Sequence, residues 1–222
     1  QGRGHSMKKQ QTAARAAIYL GGMVLLALGI TLNTKAGLGA SAIVSVPYTI
    51  SRGTGLDFAN LTLITYCVLV AAQFFIKGRN RTGLDLLQVV VSIVFTRFLS
   101  LFQTGIRYAS GFLPTDLLVL ALGILFTGVG AAMTVDMQLI PNPGDGIVSS
   151  LADRFHKELG LCKNCFDAFC VVCSLVIGLC FGDLLLGVGL GTVLSMVGVG
   201  RVIWFFNHLA KARLQQWAGL AK

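Results

Sequence analysis

Pro141-Asn142-Pro143-Gly144-Asp145-Gly146 is the stretch on which the reading of this chain turns. Two prolines and two glycines in six residues exclude a continuous helix there, yet apolar sequence flanks it on both sides. About a hundred residues earlier, Ala36-Gly37-Leu38-Gly39-Ala40-Ser41 interrupts a similar apolar mass. Working outward, Gly22 and Gly29 precede the first break as Gly123 and Gly130 precede the second, and Arg97 and Arg201 lie far along each half. Gly39, Gly55 and Leu56 likewise answer to Gly144, Gly160 and Leu161. A duplicated set of apolar helices, broken at corresponding places, is the sequence pointer to a transporter-type site near the bilayer midplane.

Composition sets the class. The chain has 222 residues, 55% hydrophobic and only 12% charged, with a mean hydropathy of +0.76. Soluble domains carry about 25% charge, so this is an integral membrane protein. Its net charge of +9 gathers at helix ends, where it orients the chain in the bilayer, and nucleic acid is not an expected partner. Residues 1–6 read as an expression-tag remnant before Met7, and the long apolar run after Arg15 shows no credible cleavage site. Cys162/Cys165 and Cys170/Cys173 have C-x-x-C spacing, but only four residues separate the pairs in a helical run. That favours structural thiols over a metal or redox site, and no cofactor is expected.

The apolar runs predict spanning helices near 13–34, 57–76, 83–104, 114–135, 164–182 and 186–208. Short helices follow the two breaks, near 40–52 and 145–158, each too short to cross a bilayer. The fold expected is an all-α polytopic bundle of two repeats, 7–109 and 110–210, each with three spanning helices and one short re-entrant helix. A basic tail, 211–222, with Lys211, Arg213 and Trp217, is expected on the membrane surface. With six spans, the strongly basic Lys77-Gly78-Arg79-Asn80-Arg81 loop and both termini fall on the cytoplasmic side of the plasma membrane. Three spans per repeat would invert one repeat relative to the other; eight spans with parallel repeats is the alternative.

The run Gly37-Leu38-Gly39-Ala40-Ser41, the segment Asn142-Pro143-Gly144-Asp145-Gly146-Ile147 and the late Gly187-Val188-Gly189-Leu190-Gly191-Thr192-Val193-Leu194 together resemble the YczE/YitT-like bacterial membrane proteins. That resemblance implies a multi-span plasma-membrane protein and says little about substrate. One departure stands out: Ala42-Ile43 occupies the place where the pattern leads one to expect an aromatic-acidic pair.

Several residues can carry chemistry. Asp145 can cap the helix that follows it or face a solute, since irregular backbone at membrane depth survives only when buried or lining a wet cavity. Asn142 and, in the first break, Ser41 share that setting. Arg97 and Arg201 lie in apolar runs, where a charge costs about 2.5–3.5 kcal/mol on insertion scales; they either face the interior or snorkel to the headgroups. Asp167 can pair with an arginine or carry a proton, or it serves as a first-turn acid favoured by the helix dipole. Asn60, Thr62, Tyr66 and Gln73 offer polar lining or interhelical hydrogen bonds. Ala13, Ala17 and Gly21 form a small-residue ridge, for internal packing or for docking a second copy or a helical partner subunit. No H-E-x-x-H, G-x-S-x-G or P-loop pattern occurs.

The function expected is a small-molecule permease, its partners being the lipid bilayer and a solute. The substrate-binding set is Asn142, Asp145, Arg97, Arg201, Ser41, Tyr66 and Asp167, with the short-helix N-termini and the two arginines favouring an anionic solute. The alternatives are the substrate-capture subunit of an ATP-driven vitamin-uptake complex and a non-transporting regulatory protein. An intramembrane enzyme is disfavoured, because no nucleophile–base set is visible.

Overall fold

A computed structural model describes residues 2–78 and 83–220. The chain is all-helical in the order α1 (Gly2–Lys35), α2 (Ala42–Thr54), α3 (Phe58–Lys77), α4 (Leu84–Gly105), α5 (Leu113–Asp136), α6 (Pro143–Phe155), α7 (Leu159–Cys180) and α8 (Leu190–Trp217). Among the described residues, six helices are long and apolar enough to cross a membrane; α2 and α6, at 13 residues each, are not. At 1.5 Å per residue those two reach about 20 Å, short of the hydrocarbon core of about 30 Å.

The elements follow from local chemistry. Pro114 sits in the first turn of α5, where its missing N–H costs nothing. Asp57 caps α3 by accepting from the Asn60 N–H at 2.8 Å. Gly37 and Gly39 take φ of +70° and +102°, which delays α2 to Ala42. The first break is then tied to the late glycine run: the Ala40 N–H donates to the Gly187 carbonyl (3.1 Å) and the Gly191 N–H to the Leu38 carbonyl (2.7 Å). Two of the glycine-rich motifs therefore pack against each other.

The centre of the bundle is the α1–α5 pair. A Cβ on Gly22 would lie 3.0 Å from the Gly130 carbonyl oxygen, and one on Gly123 would lie 3.0 Å from that of Gly29. Gly29 and Gly130 are closed just as tightly by the backbone nitrogens of Thr127 and Leu26. The helices cross antiparallel at van der Waals distance, as small residues permit. This packing uses the Gly22/Gly29 face, and Ala13 and Ala17 are exposed. Around the pair, α2 packs on α7 and α3 on α6, so each short helix lies against a helix of the other half. Likewise α4 packs on α1 and α8 on α5. One pairing lacks its counterpart: α3 packs closely on α4, whereas α7 and α8 share almost no contact.

Beyond Ala210 the chain continues as α8 to Trp217 without a break. Lys211, Arg213 and Trp217, the residues expected at the membrane surface, are exposed. Leu214 and Ala218 join the core cluster that holds Tyr19 and Met23 of α1, and Lys211 Nζ reaches Asp136 Oδ1 at 3.3 Å. The residues read as a tag remnant, apart from Gln1, which is outside the described residues, continue α1. Arg79 and Arg81 of the basic loop also fall outside the described residues.

Candidate functional site

Both breaks end at the same place. Ser41, the N-cap of α2, and Asn142, the N-cap of α6, line one cavity of about 300 Å³. Leu26 and Ile30 of α1, Thr127 of α5, and Ser195, Val199 and Ile203 of α8 complete its walls. Tyr66 enters from α3 and Lys163, Asn164 and Asp167 from α7. A neighbouring hollow of about 420 Å³ shares Val135, Asn142, Asp145 and Lys163 with it and runs beneath the segment Gln138–Pro141. A larger hollow of about 520 Å³, between the ends of α3 and α6, is bordered by the exposed Phe75 and Phe155 and lies apart from both breaks.

The second break is held in place from α1. Arg15 donates through Nε to the Met137 carbonyl (2.6 Å) and through Nη2 to that of Gln138 (2.7 Å). The Tyr19 hydroxyl donates to the Ile140 carbonyl at 2.8 Å. These bonds satisfy carbonyls that the break takes out of helical pairing. From there Asn142 Oδ1 accepts from the Gly144 N–H at 3.1 Å, and the Asn142 amide lies 3.5 Å from the Tyr66 hydroxyl. Tyr66 is itself fixed by stacking on Phe95, centroids 5.9 Å apart.

This answers the question the sequence left open at Asp145. The cap of α6 is Asn142, so Asp145, in the third helical position, has no capping work to do. Its carboxylate faces the cavity and forms no hydrogen bond or ion pair among the described residues. Asp167 is not a first-turn acid either: α7 begins at Leu159, eight residues earlier. It is 8% exposed; Oδ2 lies 3.5 Å from Lys163 Nζ and Oδ1 is buried with no hydrogen-bond partner. The Thr127 hydroxyl oxygen on the cavity wall is also buried and unpartnered. Ser41 makes no side-chain cap. Ser195 is occupied, accepting from Asn33 Nδ2 at 2.6 Å.

Of the seven expected site residues, the structure brings together Ser41, Tyr66, Asn142, Asp145 and Asp167. It does not bring Arg97 or Arg201. Arg97 is exposed and donates to Asn60 Oδ1 at 3.0 Å, near the start of α3, and Arg201 is exposed on α8. Both long side chains can keep the cation out of the apolar interior, so the arginine argument for an anionic solute is withdrawn. Thr62 donates to its own helix, and Gln73 donates to Asp85, which also holds Lys77 at 2.7 Å. His156 ends α6 as its exposed C-cap. Cys170 is buried beside Ile147, Val148 and Phe166 as a small apolar residue. Lys163 was missed, although its i,i+4 spacing from Asp167 was available as a signal.

The chain belongs to the family described as a family of unknown function, DUF6198, which it matches over residues 13–208. It is 28% identical over 192 residues to an uncharacterized protein of Haemophilus influenzae, covering 86% of this chain and 82% of that one. It is 22% identical over 184 residues to the uncharacterized membrane protein YczE of Bacillus subtilis, covering 81% and 83%. The glycine-rich motifs thus resemble YczE-like proteins because the chain is related to one. No solved structure matches.

Proposed function

We propose that this protein is a small-molecule permease of the plasma membrane whose solute site is the cavity between the two helix breaks. The observation that carries the reading is the convergence of both breaks, and of an unpaired Asp145, on one cavity inside an apolar bundle. Buried charge without a partner is costly, and a soluble partner that completes the site is the economical reason for keeping it. The two halves are inverted repeats in this reading. Its support is the reciprocal glycine pairing (Gly22 with Gly130, Gly29 with Gly123) and the exchange of short helices between halves. Exchanging the halves maps each of those contacts onto its partner, so two equivalent packings, open to opposite faces, lie close in energy. The solute passes without chemical change.

Two experiments test this. In a background lacking the native cysteines, Ser41→Cys places a thiol on the cavity wall where the native side chain makes no cap. A membrane-impermeant methanethiosulfonate should label it from either face, in right-side-out and in inside-out vesicles. Labelling from neither face would remove the cavity from any transport path. For orientation, Gly83 and Gly105 flank or end α4 with nothing within 4 Å of an added Cβ. Both termini are cytoplasmic in this reading, following the positive charge at that end. A cysteine at position 105 should therefore react in intact cells and one at position 83 should not; the reverse pattern would invert the assignment.

A further inference from the structure

We infer that the solute is a small organic cation whose ammonium group binds at Asp145 and Asp167 in place of the Lys163 side chain. The inference rests on the permease reading and narrows it. The titratable groups facing the cavity are few: Tyr66 from α3, Asp145 from α6, and Lys163 and Asp167 from α7, with none from α1, α2, α5 or α8. Two carboxylates therefore meet one ammonium.

The acceptors are also under-filled. Asp145 has no partner among the described residues, and Asp167, 8% exposed, has one oxygen buried without a donor. A carboxylate oxygen deprived of water asks for an N–H or a cation, and this site as it stands supplies one ammonium, at 3.5 Å. The missing group is a positively charged donor. Most of the wall around it is hydrocarbon, contributed by residues such as Leu26, Ile30, Ile43, Val199 and Ile203. They suit the carbon skeleton of an organic cation better than a hydrated metal ion. A cavity of about 300 Å³ lies at the small end of ligand pockets.

Lys163 is placed to be displaced. Its ammonium is a compact charge on a flexible stem, its side chain is 45% exposed, and it borders both the cavity and the adjoining hollow. In the empty protein it holds Asp167 as a tethered substitute for the solute's ammonium. On binding it withdraws into the hollow.

The sign of a Lys163 substitution separates this from its opposite. Three probes with one ring and different charge are suited to calorimetry on the purified full chain: cyclohexylammonium, cyclohexanecarboxylate and cyclohexanol. Cyclohexylammonium should bind and the other two should not. Lys163→Met should tighten cyclohexylammonium binding several-fold, because its competitor is gone, and Asp167→Asn should weaken it about tenfold. Lys163→Gln serves if the methionine variant does not fold. Binding of cyclohexanecarboxylate that Lys163→Met abolishes would overturn the cation assignment and leave the cavity as an anion site. Weaker cyclohexylammonium binding in Lys163→Met would overturn the displacement. Binding of none of the three, with Ser41→Cys still labelled from both faces, would overturn the cation assignment alone; loss of that labelling would overturn the permease reading beneath it.

Discussion

Gly29→Leu leaves little folded protein, and even Gly29→Ala lowers stability by about 1–3 kcal/mol, the range for overpacking a close interface. The added Cβ meets the backbone nitrogen of Thr127 and lies 2.8 Å from the Gly123 carbonyl oxygen. Backbone cannot swing aside as the end of a side chain can, so α1 and α5 must separate. Their separation loosens Leu26, Ala27 and Ile30, all buried at that seam. Gly160 in α7 is the control: nothing lies within 4 Å of its added Cβ, and Gly160→Ala should be neutral or gain up to about 1 kcal/mol from helix propensity. Thermal melts and size-exclusion profiles in detergent check both. A wild-type melt for Gly29→Leu would mean that α1 and α5 do not meet there.

Most of the helix inventory was legible because membrane helices announce themselves by length and apolarity, and their interruptions by glycine and proline. The register between the two breaks was not. Matching Gly39 with Gly144 pairs Asp145 with Ala40. In the proposed inverted-repeat reading, the helix starts pair Ser41 with Asn142, the same spacing as Gly22 with Gly123 and Gly29 with Gly130, which sets Asp145 opposite Val44. Loop glycines answer to local backbone needs, so their identities do not fix a register; N-caps and packed helix glycines do. The tail was legible only as a basic surface: Lys211, Arg213 and Trp217 are exposed, but Leu214 and Ala218, which keep the helical period and join the core, were not read.

The candidate site was legible where backbone chemistry forced it. Prolines and glycines had to place Asn142 and Asp145 at a helix start, and Ser41 followed from the matching break. Arg97 and Arg201 misled because depth along a sequence is not depth in a membrane. A guanidinium on a long stem reaches a polar partner such as Asn60 from within an apolar run. Lys163 was hidden because the expected span began near 164, whereas α7 begins earlier than its apolar run, at Leu159. Arg15 gave no sign that it would hold the second break, since its partners are backbone carbonyls 122 and 123 residues away.

The division of labour between Asn142 and Asp145 is the core of the account, and one paired measurement addresses it. Asn142→Ala removes the cap of α6 and should cost about 0.5–2 kcal/mol, seen as a lower melting temperature. Asp145→Asn should not lower the melt, because its carboxylate caps nothing and the unpaired charge it removes is itself a cost. Its effect should fall on charge in the cavity. In the Ser41→Cys protein, the rate of labelling by a trimethylammonium-bearing methanethiosulfonate is compared with that of its sulfonate-bearing counterpart. A unit charge a few ångströms away is worth about 1 kcal/mol even at the dielectric of water, with opposite sign for the two reagents. Asp145→Asn should therefore lower the cation-to-anion rate ratio by about thirtyfold while stability holds. A destabilised Asp145→Asn protein whose rate ratio equals that of the parent would make Asp145 a helix cap and contradict the account.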